Sequence, residues 1–177
     1  MSFLEKGYKV PQDKGNYYKF KQGDNQFRVV SDAIVGFEYW NMEGKPVRLV
    51  ENPVEMPKDI RLESDNSYKI KPFMAFKVLD REDKAIRILQ LTQKGIMETL
   101  TALFNNPKWG DLQDYDVIVN RVGEGLETKY STTPDPKEEL TAEEKSLVAR
   151  TQIDLGKLFA GGNPFSKEPE EDLQVPF

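Results

Sequence analysis

Apolar and polar positions alternate most clearly in two runs, "FMAFKVLD" at 73–80 and "AIRILQLT" at 85–92, joined by the polar stretch "REDK". Period-two patterning around a short polar connection predicts a β-hairpin. Beyond it the period changes: in "QKGIMETLTALFNN", Ile96, Leu100, Leu103 and Phe104 recur at helical spacing, Thr92 stands where an N-cap belongs and Pro107 stops the element. "YDVIVNRVG" (115–123) and "ETKYSTTP" (127–134), around Gly123-Glu124-Gly125, predict a second hairpin. Upstream, "YYKFKQGDNQFRVV" predicts a short strand over Tyr17–Phe20, a turn at Gly23-Asp24-Asn25, and a strand from about Phe27 toward Trp40 with a bend or bulge at Gly36.

Residues 41–72 resist any long element, because Pro46, Pro53, Pro57 and Pro72 interrupt them, and only "PVRLV" and "SYKIK" look extended. The order is then long bent strand, hairpin, helix, hairpin. Five strands with a helix between the third and fourth is the connectivity of an OB-fold, a mainly β Greek-key barrel. After the linker "PDPKEEL", Thr141 and Glu144 form a capping box opening a helix lined by Leu147, Thr151, Leu155, Leu158 and Phe159 and ended by Gly161-Gly162. The expected organisation is a domain over residues 1–140 with a long insertion at 41–72, an amphipathic helix over 141–160, and a flexible acidic tail over 161–177.

Composition narrows the chemistry. The 177 residues include no cysteine and no histidine, which removes disulfides, thiolate or imidazole metal sites and nucleophiles that depend on either residue. No segment reaches the 18 or so apolar residues of a membrane span, so the expectation is a soluble intracellular protein without a cofactor. The net charge of −5 lies wholly in residues 134–177, which hold ten Asp/Glu against five Lys/Arg. The remainder is neutral, and residues 1–28 carry a local positive excess. A basic patch on a neutral domain is therefore compatible with the composition.

Phosphate-binding and nucleophile-elbow glycine motifs are absent, and the expectation is a noncatalytic protein. Asp111, Asp114 and Asp116 are the one carboxylate group that a metal-dependent nuclease reading would use, although loop carboxylates ahead of a strand are ordinarily solvated. The stronger pattern is aromatic residues interleaved with basic ones in "NYYKFK", "FEYWN", "KPFMAFK" and "ETKY". Binding of single-stranded nucleic acid needs both, cations for phosphates and flat rings for unstacked bases. By strand alternation Phe37 and Tyr39 oppose Glu38 and Trp40, and Lys77 and Arg87 are candidates to join one strand surface. The candidate nucleic-acid contacts are Tyr18, Lys19, Lys21, Arg28, Tyr39, Trp40, Lys77, Arg87, Arg121, Lys129 and Tyr130.

On "GYKVP" with "YYKFKQGDNQFRVVSDAIVGFEYW", on "FMAFKVLDREDKAIRILQLTQKGIMETLTAL", and on "WGDLQDYDVIVNRVGEGLETKYSTTPDP" followed by the acidic tail, the chain resembles the single-stranded DNA-binding proteins of tailed bacteriophages over roughly residues 7–140. The resemblance implies an OB-fold core that coats single strands during phage DNA replication, recombination and repair in the cytoplasm of an infected bacterium. It also implies an acidic C-terminus that holds replication or recombination proteins, with possible self-association on DNA. Some such proteins carry a structural zinc in an insertion comparable to 41–72, a site this chain has no Cys or His to build. The end "EEDLQVPF" resembles that of bacterial single-stranded DNA-binding proteins, which implies a docking peptide made of Glu170, Glu171, Asp172, Pro176 and Phe177. The alternatives are a protein-binding OB adaptor, the nuclease, and an RNA-binding OB module.

Overall fold

The computed structural model describes residues 15–165 together with Phe3, Leu4 and Lys6. Among the described residues the fold is mainly β, with seven antiparallel strands in one open sheet and two α-helices. Strands β1 (Gly23–Val29) and β2 (Ile34–Trp40) lie end to end along one edge of β4 (Lys71–Asp80), whose other edge carries β5 (Ala85–Leu91). The short β3 (Pro46–Leu49) extends the sheet from β2, and β6 (Tyr115–Val122) joins β1 to β7 (Lys129–Lys137). Helix α1 (Lys94–Asn105) connects β5 to β6, and α2 (Ala142–Arg150) follows β7.

Five strands were expected and seven are found. One addition is β3; the other arises because Val30–Ala33 interrupts the long strand. There Ser31 substitutes a side chain for ladder backbone: its Oγ accepts from the Lys77 N–H at 2.8 Å, while the Val30 N–H donates to the Lys77 carbonyl at 2.9 Å. The expected turn at Gly23-Asp24-Asn25 is the start of β1, with Gly23 at φ +89°. Tyr17–Phe20 is not a strand of its own. It makes one parallel bridge, Tyr17 to Ile88, flanked by Tyr18 N–H to Ile88 O at 2.7 Å and Ile88 N–H to Asn16 O at 3.0 Å.

That stretch occupies the open edge of β5 and reaches the last two strands. Gln22 Nε2 donates to the Gly123 carbonyl at 2.6 Å, and Arg121 donates to the Phe20 carbonyl at 2.9 Å. Helix α1 begins one residue later than expected, with Gln93 as N-cap and no capping side chain. It packs Ile96 and Leu100 on one face of the sheet, against Phe27, Val29, Phe76, Val78, Leu89 and Val117.

The opposite face is covered by the chain's own C-terminal portion. The capping box forms as expected, but α2 stops at Arg150 rather than near residue 160. Residues 151–154 are not helical and a single 3₁₀ turn spans Leu155–Leu158, so Ile153, Leu155, Leu158 and Phe159 lie across Ile34, Phe73, Ala75 and Ile88. Gly36 neither bends nor bulges β2. It makes room for this cover: a Cβ there would lie 2.3 Å from the Leu49 carbonyl and 3.0 Å from the rings of Phe159 and Phe73.

At the other end of the same face is an ionic network. Asp116 receives Arg28 Nε at 2.8 Å, Arg81 Nε at 2.9 Å and Gln26 Nε2 at 2.8 Å, and Arg81 continues to Glu144 of α2. Burial works against ionisation of Glu144, but the Thr141 backbone N–H, Arg81 and Lys84 hold its carboxyl below the usual range. The 41–70 segment is attached by an Asn41–Ile60 bridge, by burial of Ile60, and by the Tyr39 hydroxyl, which donates to Asp59 at 2.8 Å.

Three outcomes follow for stability. Asp116→Asn leaves Arg28, only 2% exposed, with no full counter-charge, and is expected to cost about 3–5 kcal/mol in urea unfolding. Glu43→Gln, which removes an exposed 3.8 Å pair with Lys45, should cost less than about 1 kcal/mol. Burial, and then the bond to Asp59, raise the Tyr39 hydroxyl from 10.0 to about 12. Unfolded tyrosine ionises first, so this contribution is complete below pH 10 and is lost as the pH rises toward 12. Alkaline unfolding should therefore be shallower in Tyr39→Phe than in the parent, and equal pH slopes would refute the link.

Candidate nucleic-acid interface

The β6–β7 hairpin and the stretch ahead of β1 bring three of the expected contacts together. Arg121 and Tyr130 are cross-strand partners, with Gly23 on the far side of Arg121. The Phe20 ring lies 5.6 Å from Tyr130 and 5.7 Å from Tyr18, and Tyr18 in turn stacks edge-on against Phe27 at 5.4 Å. Burial, and then the nearby carboxylates led by Asp80, push the Tyr18 hydroxyl well above its ordinary range, so it stays neutral at any physiological pH. Lys19 and Lys129 are exposed beside this cluster in sequence.

Arg121 differs in its partners from five of the other six arginines. Arg28 and Arg81 share Asp116, Arg48 meets Glu38 at 3.1 Å, Arg61 meets Glu63 at 3.3 Å, and Arg87 meets Asp80 at 3.2 Å and Asp83 at 2.8 Å. Arg150 is exposed and, among the described residues, bonds to the Ser146 hydroxyl. Arg121 is partly buried, makes no ion pair among the described residues, and has a buried Nε with no hydrogen-bond partner. A guanidinium withdrawn from water without a carboxylate is costly, and an anion arriving at it would offset that cost.

A second aromatic position sits at the far end of the β1–β2 run. Trp40 is 39% exposed, and the Arg61 guanidinium lies over its ring at 5.4 Å, a cation–π contact. On the same strand face, Arg48 and exposed Lys71 flank Glu38 from the two neighbouring strands. Glu38 is neutralised by Arg48 and also accepts from Gln90. The structure does not bring Trp40 together with Arg121 and Tyr130, because Gly23, the partner of Arg121, opens β1 and Trp40 closes β2.

Several expected contacts have other work. Arg28 is buried in the ion pair with Asp116, and Arg87 is held by Asp80, Asp83 and the Gly15 carbonyl. Tyr39 faces the interior, as alternation with exposed Trp40 requires. Lys77 and Arg87 do not share a surface: the register pairs Lys77 with Ile88 and Arg87 with Val78, which places them on opposite faces. Lys21 is exposed but pairs with Glu82 at 2.6 Å. Glu170, Glu171, Asp172, Pro176 and Phe177 lie outside the described residues.

The three aspartates do not converge on a cation position. Asp116 faces two guanidinium groups, Asp111 accepts from the Gln113 N–H at 2.9 Å as a turn cap, and no cluster of metal-ligating side chains occurs among the described residues. The contacts expected from the sequence do not include Arg48, Arg61 and Lys71, which lie around Glu38 and Trp40, or Phe20, which lies against Tyr130. Arg61 reaches Trp40 only through the Asn41–Ile60 bridge, for which the proline-rich segment gives no periodic signal. No helix among the described residues is long and apolar enough to cross a membrane. In comparisons with known proteins, no family model, no curated protein and no solved structure matches this chain.

Proposed function

We propose that this chain is a noncatalytic, sequence-nonspecific single-stranded DNA-binding protein of the phage type, acting in DNA replication, recombination and repair. The observation that carries the reading is Arg121: a partly buried cation with no ion pair among the described residues and a buried Nε without a hydrogen-bond partner, close to Phe20 and Tyr130 at a strand end. Phosphate supplies the missing charge, and adjacent rings supply the surface on which unpaired bases stack. Trp40 with Arg61, Arg48 and Lys71 is the second contact region.

The pairing pattern supports an OB-type reading of the fold. If β1 and β2 count as one interrupted strand and β3 as part of the insertion, the remaining order is strand, strand, strand, helix, strand, strand, with the first strand paired to the second and the fourth. The stretch at Asn16–Tyr18 then stands on the β5 edge where such a barrel closes. The acidic residues at 168–172 and the final Pro176-Phe177 are the proposed peptide for recruiting replication or recombination proteins, in the cytoplasm of an infected host.

Titration with oligo(dT) while following tryptophan emission tests this directly. Trp109 packs against Tyr115 at 5.3 Å, which leaves Trp40 as the exposed reporter. Saturable quenching that weakens with salt and resists duplex competition is expected. Arg121→Gln should lower the salt slope by about 0.7, and Trp40→Ala should weaken binding by about 1–3 kcal/mol. Deleting residues 166–177 should tighten binding at low salt, since a tethered acidic segment competes for the same cations. An unchanged spectrum with no retained DNA at low salt would overturn the proposal and favour a protein-binding adaptor.

A further inference from the structure

Trp40 is the stacking surface of the second contact region, yet in the free chain its ring is already covered. The Arg61 guanidinium carbon stands 5.4 Å from the ring centroid. A base interposed between the two would need about 7 Å, two stacked layers of about 3.5 Å each. On that face of the ring, base and guanidinium exclude one another.

The backbone beneath Arg61 is fixed. Its N–H donates to the Trp40 carbonyl at 2.7 Å, the Met42 N–H donates to the Asp59 carbonyl at 2.8 Å, and Ile60 between these bonds is 5% exposed. The side chain is held much less firmly. Its ion pair with Glu63 is 3.3 Å long and the Arg61 side chain is 42% exposed, so water screens the attraction. The guanidinium can therefore leave the ring by rotation of its own side chain while the backbone stays in place. Arg48, on the same strand face, is built differently: its 3.1 Å pair with Glu38 leaves the two side chains 14% and 10% exposed. Separating that pair would strand a buried charge.

We propose that Arg61 is an exchangeable cover: it occupies Trp40 in the free chain, yields the ring to an incoming base, and transfers to a phosphate of the same strand. The inference rests on the single-strand reading and gives the 41–70 segment a part in it, that of carrying the cover. The displaced cation is not lost to binding. A long side chain anchored beside the ring sweeps the positions of the phosphates that flank a base stacked there, so a contact within the protein is replaced by one to the ligand. On release of the strand the guanidinium returns, and the indole face is again shielded from water.

Two oligomers of equal length, oligo(dT) and an abasic strand, share a backbone and so separate stacking from phosphate contact. For Arg61→Ala the ratio of the two affinities should rise about two- to fivefold, the factor that an exposed cation–π contact represents. The salt slope should fall by about 0.7. Arg61→Lys keeps the charge and should keep the slope. In a Trp40→Ala background, Arg61→Ala should leave the affinity ratio where it is, because the competition then has no object. Without DNA, Arg61→Ala should raise the quenching of tryptophan emission by acrylamide. A ratio that Arg61→Ala leaves unchanged, or lowers as a base held between ring and guanidinium requires, would overturn the proposal with single-strand binding intact. Unchanged acrylamide quenching would do the same. Retention of neither oligomer by the parent at low salt would instead overturn the single-strand reading, and this proposal with it.

Discussion

Asp116 is the charge on which the arrangement of this fold depends. It lies in the sheet between two guanidinium groups, one from β1 and one from the β4–β5 turn. Isolated burial of any of the three would be strongly unfavourable; together they satisfy one another, with Gln26 taking a remaining lone pair. Such a triad adds little net stability over an apolar substitute but tolerates few alternatives in register. Shifting β6 by one residue against β1 would put Asp116 on the α1 side and leave Arg28 alone.

The same network sets the position of everything after β7. Glu144 caps the start of α2 by accepting the Thr141 N–H, and it also receives Arg81. One carboxylate thus fixes where α2 starts and where it docks. The residues that follow are delivered to the strip of Ile34, Phe73, Ala75 and Ile88. Gly36 is the sheet's half of that agreement, a missing side chain where the Phe159 ring and the Leu49 carbonyl approach.

Much of the local structure was legible in the sequence because it is governed by near neighbours. Both hairpins, α1 and the Thr141–Glu144 capping box follow from periodicity and turn chemistry. The end of α2 was not, since Leu147, Thr151, Leu155 and Leu158 have helical spacing but the sheet face is better covered by an irregular chain that also delivers Ile153. The site was harder for a related reason. A basic residue on a strand looks the same whether it meets solvent or a distant carboxylate: Arg28 is 88 residues from Asp116, a pairing that no local pattern contains. Alternation did set Tyr39 and Trp40 on opposite faces, because that distinction is local, whereas which of the two is buried is decided by what the fold packs on each face.

The stretch Gly15–Gln22 has a consequence for the order of assembly. It precedes every strand in sequence, yet its partners are Ile88, Arg121, Gly123 and Tyr130. During vectorial synthesis its partners on β6 and the β6–β7 turn emerge about a hundred residues later, and until they do only its bonds to Ile88 hold it on the edge of β5. The interval between making β5 and making β7 is therefore when a nascent chain is most open to strand addition by a neighbour. A ribosome pausing late in this sequence would prolong that vulnerable interval, whereas one pausing early would not.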